Sequence, residues 1–436
     1  MTAHPFIEDL QNAELIARTG RVRRVLPTYV EADGPAVPRG SLCRIETGPT
    51  TSCLAEVVSI DRDSVVLAPF DDKRPVFAGA RVKACVEAAT VPVGDAFLGR
   101  ALDALGRPID GLGPVRAEER AALQGMPTSP LERVSPTKVL ETGIRAIDGL
   151  LTLGHGQRVG LFAASGVGKT SLMAQLAQQV EVDRCVVCLV GERGREVEAL
   201  WSHGLSSEAK AKTTLVAATS DETAAMRARA VDYALALADH WRNRGLDVLL
   251  LLDSTTRLAM ALREIGLAAG EPPTVRAYTP SVFAAIPKLV ERCGALKSGG
   301  SITAIMTVLS ETDDIDDPVS EMMKSLLDGH VILSRSLAEK GHFPAIDVPR
   351  SISRLATSLM ADTQKADAKR AIQLLSTYES SRTLIEAGIY ARGSDTDIDR
   401  AIDKRAALGE FLRQGQNERI PHGRTQAALS ALVGAG

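Results

Sequence analysis

Val159-Gly-Leu-Phe-Ala-Ala-Ser-Gly-Val-Gly-Lys-Thr170 decides the fold. An apolar run enters a loop holding Gly166 and Gly168, reaches Lys169-Thr170, and continues into a stretch of helical spacing over 171–180. That order suits phosphate. The loop turns successive backbone N–H groups inward as a nest, and the helix N-terminus adds the positive end of its dipole. On this reading Ala164, Ser165, Gly166, Val167, Gly168, Lys169, Thr170 and Ser171 cradle the phosphates of a nucleotide. Lys169 reaches the β- and γ-phosphates, and the Thr170 hydroxyl ligates Mg²⁺. The usual pattern, G-x-x-x-x-G-K-[ST], has Gly where Ala163 stands. No G-x-G-x-x-G opens the helix, which disfavours a dinucleotide fold.

Working outward, Val248-Leu-Leu-Leu-Leu-Asp253 has the continuous apolar character of a strand buried on both faces. Its terminal carboxylate would emerge at the ligand edge of a parallel sheet, where Asp253 holds Mg²⁺ through water. Cys185-Val-Val-Cys-Leu-Val-Gly-Glu-Arg-Gly-Arg195 reads as a second such strand delivering Glu192 to that edge. A carboxylate there can orient the water that attacks the γ-phosphoryl, with Arg193 and Arg195 as candidate partners for it or for phosphate. Cys185 and Cys188 lie three apart on the strand, so they point to opposite faces and read as core residues.

The phosphate loop sits inside a larger alternation. Apolar runs at 159–162, 185–190, 215–218, 248–252 and 302–308 are separated by helical stretches, which predicts a parallel sheet with crossover helices. Before it, short β-rich runs at 20–29, 41–46, 54–60, 64–67 and 80–86 predict a small barrel or sandwich. Between them, GRALDALGRPIDGLG and its flanks read as turns. After it, helical spacing at 366–387 and 397–413 predicts a helical domain. The expected division is an N-terminal helix over 1–18, a β-barrel over 19–90, an α/β P-loop domain over 91–350 and a helical domain over 351–436.

The chain of 436 residues carries 51 Lys+Arg against 54 Asp+Glu, a net charge of −3, with 3% aromatics. A nucleic-acid motor would be expected to show a basic excess or stacking aromatics, so no nucleic-acid partner is predicted. The six cysteines are scattered and form no disulfide framework. Neither a secretory signal nor a run of about 20 apolar residues is evident, which predicts a cytoplasmic protein. Met322, Met323, Leu326 and Leu327 fit a packed helix face, and Asp313–Asp317 reads as a solvated loop.

Together GLFAASGVGKTSL, GERGREV, LLLLDSTTRLAMALREIG, GEPPTVRAYTPSVFAAIPKLVERCG and LDGHVILSRSLAEKGHFPAIDVPRSISRL resemble the rotary ATPase superfamily. With TGIRAIDGLLTLGHGQRVGLF and the GRALDALGRPIDG connector, the likeness runs over nearly the whole chain. It is closest to the type III protein export ATPases, and among them to the flagellar export ATPases. The resemblance implies a RecA-like P-loop nucleotide domain between a β-barrel and a helical domain. It also implies ATP and Mg²⁺ as ligands and a homo-hexameric ring with nucleotide at the subunit interfaces. Glu192 then matches the catalytic carboxylate, Arg354 the arginine finger that enters a neighbour's site, and Phe343 the aromatic stacked on adenine. The implied partners are a regulatory or stator protein at the N-terminal helix, a central stalk near Asp313–Asp317, export chaperones and substrates, and an export gate at the inner membrane. An injectisome ATPase and an F-type ATP synthase β subunit are the alternatives. FLRQGQ lacks a second adenine-facing Phe near Gln416, which opposes the β subunit. The family loop reads A-G-S-G-V-G-K, and Ala164 replaces its first Gly.

Overall fold

The computed structural model describes residues 17–71, 73, 75–85, 90–117, 119–126, 128–309 and 317–434. The helix expected over 1–18 falls almost wholly outside these residues, as does most of the Asp313–Asp317 loop.

Six antiparallel strands close into a barrel: β1 (Thr19–Val25), β2 (Val30–Ala32), β3 (Leu42–Glu46), β4 (Ser52–Asp61), β5 (Ser64–Pro69) and β6 (Arg81–Ala84). Their order around the barrel is β1-β2-β5-β4-β3-β6. The period-2 alternation sends Val22, Val30, Ile45, Cys53, Ala55, Val57, Val65, Leu67 and Val82 into its interior. A register shift between Val57 and Ser59 breaks the alternation. Val58, with Leu42, Ala68 and Phe70, instead joins the core of the next domain, so the barrel is docked on that domain by apolar burial. The three-residue β2 gives too short a pattern to be read from sequence.

The central sheet takes β7 (Arg158–Ala163), β8 (Arg184–Val190), β9 (Thr213–Ala218), β10 (Asp247–Asp253), β11 (Ser301–Leu309) and β12 (Gly329–Leu333). They pair in parallel in the order β12-β7-β11-β10-β8-β9. The two faces pack separately. Val186, Cys188, Leu250, Leu252 and Met306 meet the helices α2 (Ala224–Arg242), α3 (Thr255–Ala268) and α4 (Pro280–Arg292). On the other face Cys185, Val187, Leu249 and Leu251 form one cluster with Leu172, Met173 and Leu176 of α1 (Lys169–Gln179). Cys185 and Cys188 thus sit on opposite faces, and burial pushes the Cys185 thiol up to about 12 and the Cys188 thiol higher still. Both are inert core residues.

Both sheet edges hold strands that Gly, Pro and polar composition hid. Ala101–Leu102, inside the connector read as turns, pairs parallel with β9. Ile352–Ser353, just past the boundary expected at 350, pairs antiparallel with β12. Another part of the connector, Thr90–Val93, pairs with Glu119–Ala122. Asp317 caps α5 (Pro318–Leu326), where Met323 is buried and Met322 packs against the same core. The chain ends in α6 (Asp362–Glu386), α7 (Thr396–Leu412) and α8 (His422–Gly434). Among the described residues no helix is long and apolar enough to cross a membrane.

Candidate functional site

Parallel pairing brings the carboxyl ends of β7, β8 and β10 to one edge, and the expected chemistry collects there. β7 ends at Ala163, which is buried on the strand and paired with Leu309 and Leu333, so the position needs no glycine. The loop then turns through Gly166 at φ 81° and Gly168 at φ 88°, a left-handed conformation that L side chains resist. Ala164 is not among the residues with positive φ, so its methyl group costs the loop nothing in backbone strain. Ser165, Gly166, Thr170 and Ser171 are exposed at the mouth, while Val167 is buried and anchors the loop.

Lys169, at the first turn of α1, runs inward. Its Nζ lies 2.6 Å from Asp253 Oδ1 and 3.3 Å from Glu192 Oε1. Glu192 is 5% exposed and Asp253 2%, so two buried carboxylates share one partly buried cation. Desolvation makes such a cluster costly to assemble and costlier to leave with one charge unpaired. Asp253 does not serve the following helix: Ser254 caps α3, accepting from Arg257 N. The Asp253 carboxylate is therefore left for the site.

Two residues here escaped the sequence reading. Arg257 Nε lies 3.3 Å from Glu192 Oε1. Arg193 and Arg195, candidate partners for Glu192 or for phosphate, are exposed, and Lys169 and Arg257 are the cations beside Glu192. Gly191 makes this possible: a Cβ there would sit 2.7 Å from Arg257 Cδ. Thr307, on β11, donates to Asp253 Oδ1 at 2.6 Å.

Phe343 is 46% exposed, although His342 and Pro344 beside it are buried. Its ring lies over the phosphate loop, where an atom added to Gly168 would be 3.3 Å away. Its carbonyl accepts from Gln414 N at 2.9 Å, so the segment after α7 holds this turn. Gln414 itself bonds Gly143 O and Arg145 N, tying that segment to the nucleotide domain. Burial keeps the neighbouring His342 imidazole below its ordinary pKa, hence neutral near pH 7.

Arg354 is not brought to this cluster. Its backbone N donates to Asp328 O and its Nη2 to Lys324 O, at the start of β12. The phosphate loop adjoins the other end, where Leu333 pairs with Ala163. β12 alone spans roughly 13 Å at about 3.3 Å per residue. Arg354 is exposed at the opposite edge of the sheet from its own Lys169.

The residues present fit a nucleoside triphosphate and a divalent cation. A glycine-turned loop opens onto a helix N-terminus, a lysine sits where it can exchange carboxylate for phosphate, and a small cavity is lined by Thr170, Glu192, Glu196 and Asp253. Among the described residues no three His, Cys, Asp or Glu side chains are grouped to hold a metal. A magnesium ion here would take Thr170 and Asp253 as its protein contacts and phosphate and water for the rest.

Residues 143–353 match the nucleotide-binding domain of the ATP synthase alpha/beta family. Residues 360–431 match the C-terminal domain of the EscN ATPase of type III secretion. The flagellum-specific ATP synthase of Treponema pallidum is 43% identical over 98% of this chain and 95% of its own. The chain belongs to the flagellar and type III secretion ATPase family. The type 3 secretion system ATPase of Xanthomonas euvesicatoria is 42% identical over 98% of both chains. Assembled EscN from the enteropathogenic E. coli type III secretion system superposes with a TM-score of 0.90 at 38% identity, covering 95% of this chain and all of that one. As a member of this family the chain is an ATP-hydrolysing enzyme built on an F1-like nucleotide-binding domain. The match at 360–431 separates it from the F-type β subunit, the branch that the missing Phe near Gln416 also opposed.

Proposed function

We propose that the chain is a Mg²⁺-dependent ATPase that energises type III protein export, in the flagellar branch, as a homo-hexameric ring at the cytoplasmic face of the inner membrane. The observation that carries the reading is the Lys169–Asp253–Glu192 cluster, with both carboxylates buried, at the mouth of the phosphate loop. Incoming phosphate draws the Lys169 ammonium from Asp253, and Glu192, held by Arg257, is left to orient the attacking water. Bound Mg²⁺ supplies charge stabilisation to the phosphates. Arg354, too far from its own loop, acts on the neighbour's γ-phosphoryl. That makes the oligomer the catalytic unit. EscN is known in complex with a central stalk, EscO, and the same kind of partner is proposed for this ring. A stator at the N-terminal helix, chaperone–substrate complexes and the export gate complete the set.

Deleting the chain from its own cell and complementing with wild type or Glu192→Gln tests the biological reading. The expected result is loss of flagellar filament protein from the medium, restored by wild type and not by Glu192→Gln. Intact filament export alongside lost effector secretion would transfer the chain to an injectisome.

The exposed ring of Phe343 is proposed to stack on adenine. Phe343→Ala should raise the KM for ATP by roughly 5- to 150-fold, the equivalent of about 1–3 kcal/mol for a stacked base. The kcat should change little, because the stack holds ground and transition states alike. As a half-exposed side chain it fills no core, so the melting temperature should stay near wild type. An unchanged KM would remove Phe343 from the adenine pocket.

A further inference from the structure

Asp253 Oδ1 accepts two hydrogen bonds, from Lys169 Nζ and from Thr307 Oγ1, both at 2.6 Å. The two donors differ in kind. Lys169 is a long, flexible cation whose proposed task takes it to phosphate. Thr307 is β-branched and stiff at χ1, fully buried, and fixed on the strand between the one that leads into the phosphate loop and the one that ends in Asp253. In the parallel register Leu252 faces Met306, so Thr307 is the next residue beside Asp253. A carboxylate only accepts, so the hydroxyl must donate. The other internal polar side chain of that strand, Thr303, is engaged elsewhere, accepting from Gly156 N at 2.8 Å.

We infer that Thr307 is a positioning residue that pins Asp253 Oδ1, so that Oδ2 is the oxygen presented to the cation side of the site once Lys169 has moved to phosphate. Both bonds fall on Oδ1, and no described residue bonds Oδ2. Without the hydroxyl, departure of Lys169 would leave the buried Oδ1 without a protein donor, free to rotate toward the metal or toward any cation nearby. A partner that orients a ligating group typically shifts metal affinity by about 10- to 100-fold when removed. The inference rests on the ATPase reading above and adds a residue to its metal side.

The test compares wild type, Thr307→Val and Thr307→Ser. Valine keeps the shape and removes the donor; serine keeps the donor. Affinity for a fluorescent β,γ-imido ATP analogue is measured in EDTA and across a MgCl₂ titration, with melting temperatures alongside. The expected result is an affinity in EDTA near wild type for Thr307→Val, a Mg²⁺ requirement raised roughly 10- to 100-fold, and recovery in Thr307→Ser. A Mg²⁺ titration of Thr307→Val that matches wild type overturns the inference. So does equal weakening with and without Mg²⁺ together with a lowered melting temperature, which marks a purely structural hydroxyl. A wild type whose nucleotide binding ignores Mg²⁺ would overturn the metal-dependent reading as well, and is thereby distinguished from failure at Thr307 alone.

Discussion

Glu192→Gln should bind ATP with near-normal affinity and hydrolyse it at least about 10²-fold more slowly, the scale of a lost general base. The substitution keeps the size of the side chain and an oxygen that can still accept from Lys169 Nζ at 3.3 Å, and it gives up the charge that faces Arg257. It removes the negative charge that polarises water. Lys169→Ala should have no measurable turnover, for two reasons. It deletes the cation for the β- and γ-phosphates, and it strips the buried Asp253 carboxylate of its 2.6 Å charged partner. Steady-state hydrolysis and nucleotide titration on the same preparations check both. Near-normal turnover by Glu192→Gln would take Glu192 out of the mechanism.

Arg354→Ala should bind nucleotide and assemble as wild type does, yet turn over about 10³-fold more slowly or worse, the range of a removed arginine finger. The geometry explains why binding survives: Arg354 stands at the far end of β12 from the phosphate loop, where its backbone N and its Nη2 donate to the carbonyls of Asp328 and Lys324. For the same reason, wild-type activity per chain should climb steeply with protein concentration and fall away under dilution, since an isolated subunit has no finger at its own loop.

How far the sequence leads depends on what each contact is made of. Lys169, Glu192 and Asp253 were legible because strands buried on both faces show as unbroken apolar runs, and parallel pairing sends their carboxyl ends to one edge. Thr307 and Arg257 were not, because their roles come from register and side-chain direction. Thr307 meets Asp253 across two strands whose sequence positions are 54 apart. Arg257 reaches Glu192 only because Gly191 has no side chain. At the barrel, β1, β3, β4, β5 and β6 showed as short β-rich runs between turn residues, while the three residues of β2 were too few to show as one. In the helical region α6 and α7 were found by charged outer faces. The Ala- and Leu-rich α8 has little polar contrast and was missed. Ala164 stood out in the sequence as a departure from Gly, and only the backbone conformation shows that it brings no strain to the loop.

Each active site is proposed to be completed by the next subunit, with Glu192 from one chain and Arg354 from the other. The most direct measurement is the ATPase rate of Arg354→Ala mixed with Glu192→Gln, each nearly inactive alone, after co-assembly is shown by co-purification of differently tagged chains. At equal amounts roughly a quarter of the head-to-tail interfaces pair an intact Glu192 with an intact Arg354. The mixture should hydrolyse ATP well above the sum of its parts. A co-assembled mixture no more active than that sum would contradict it.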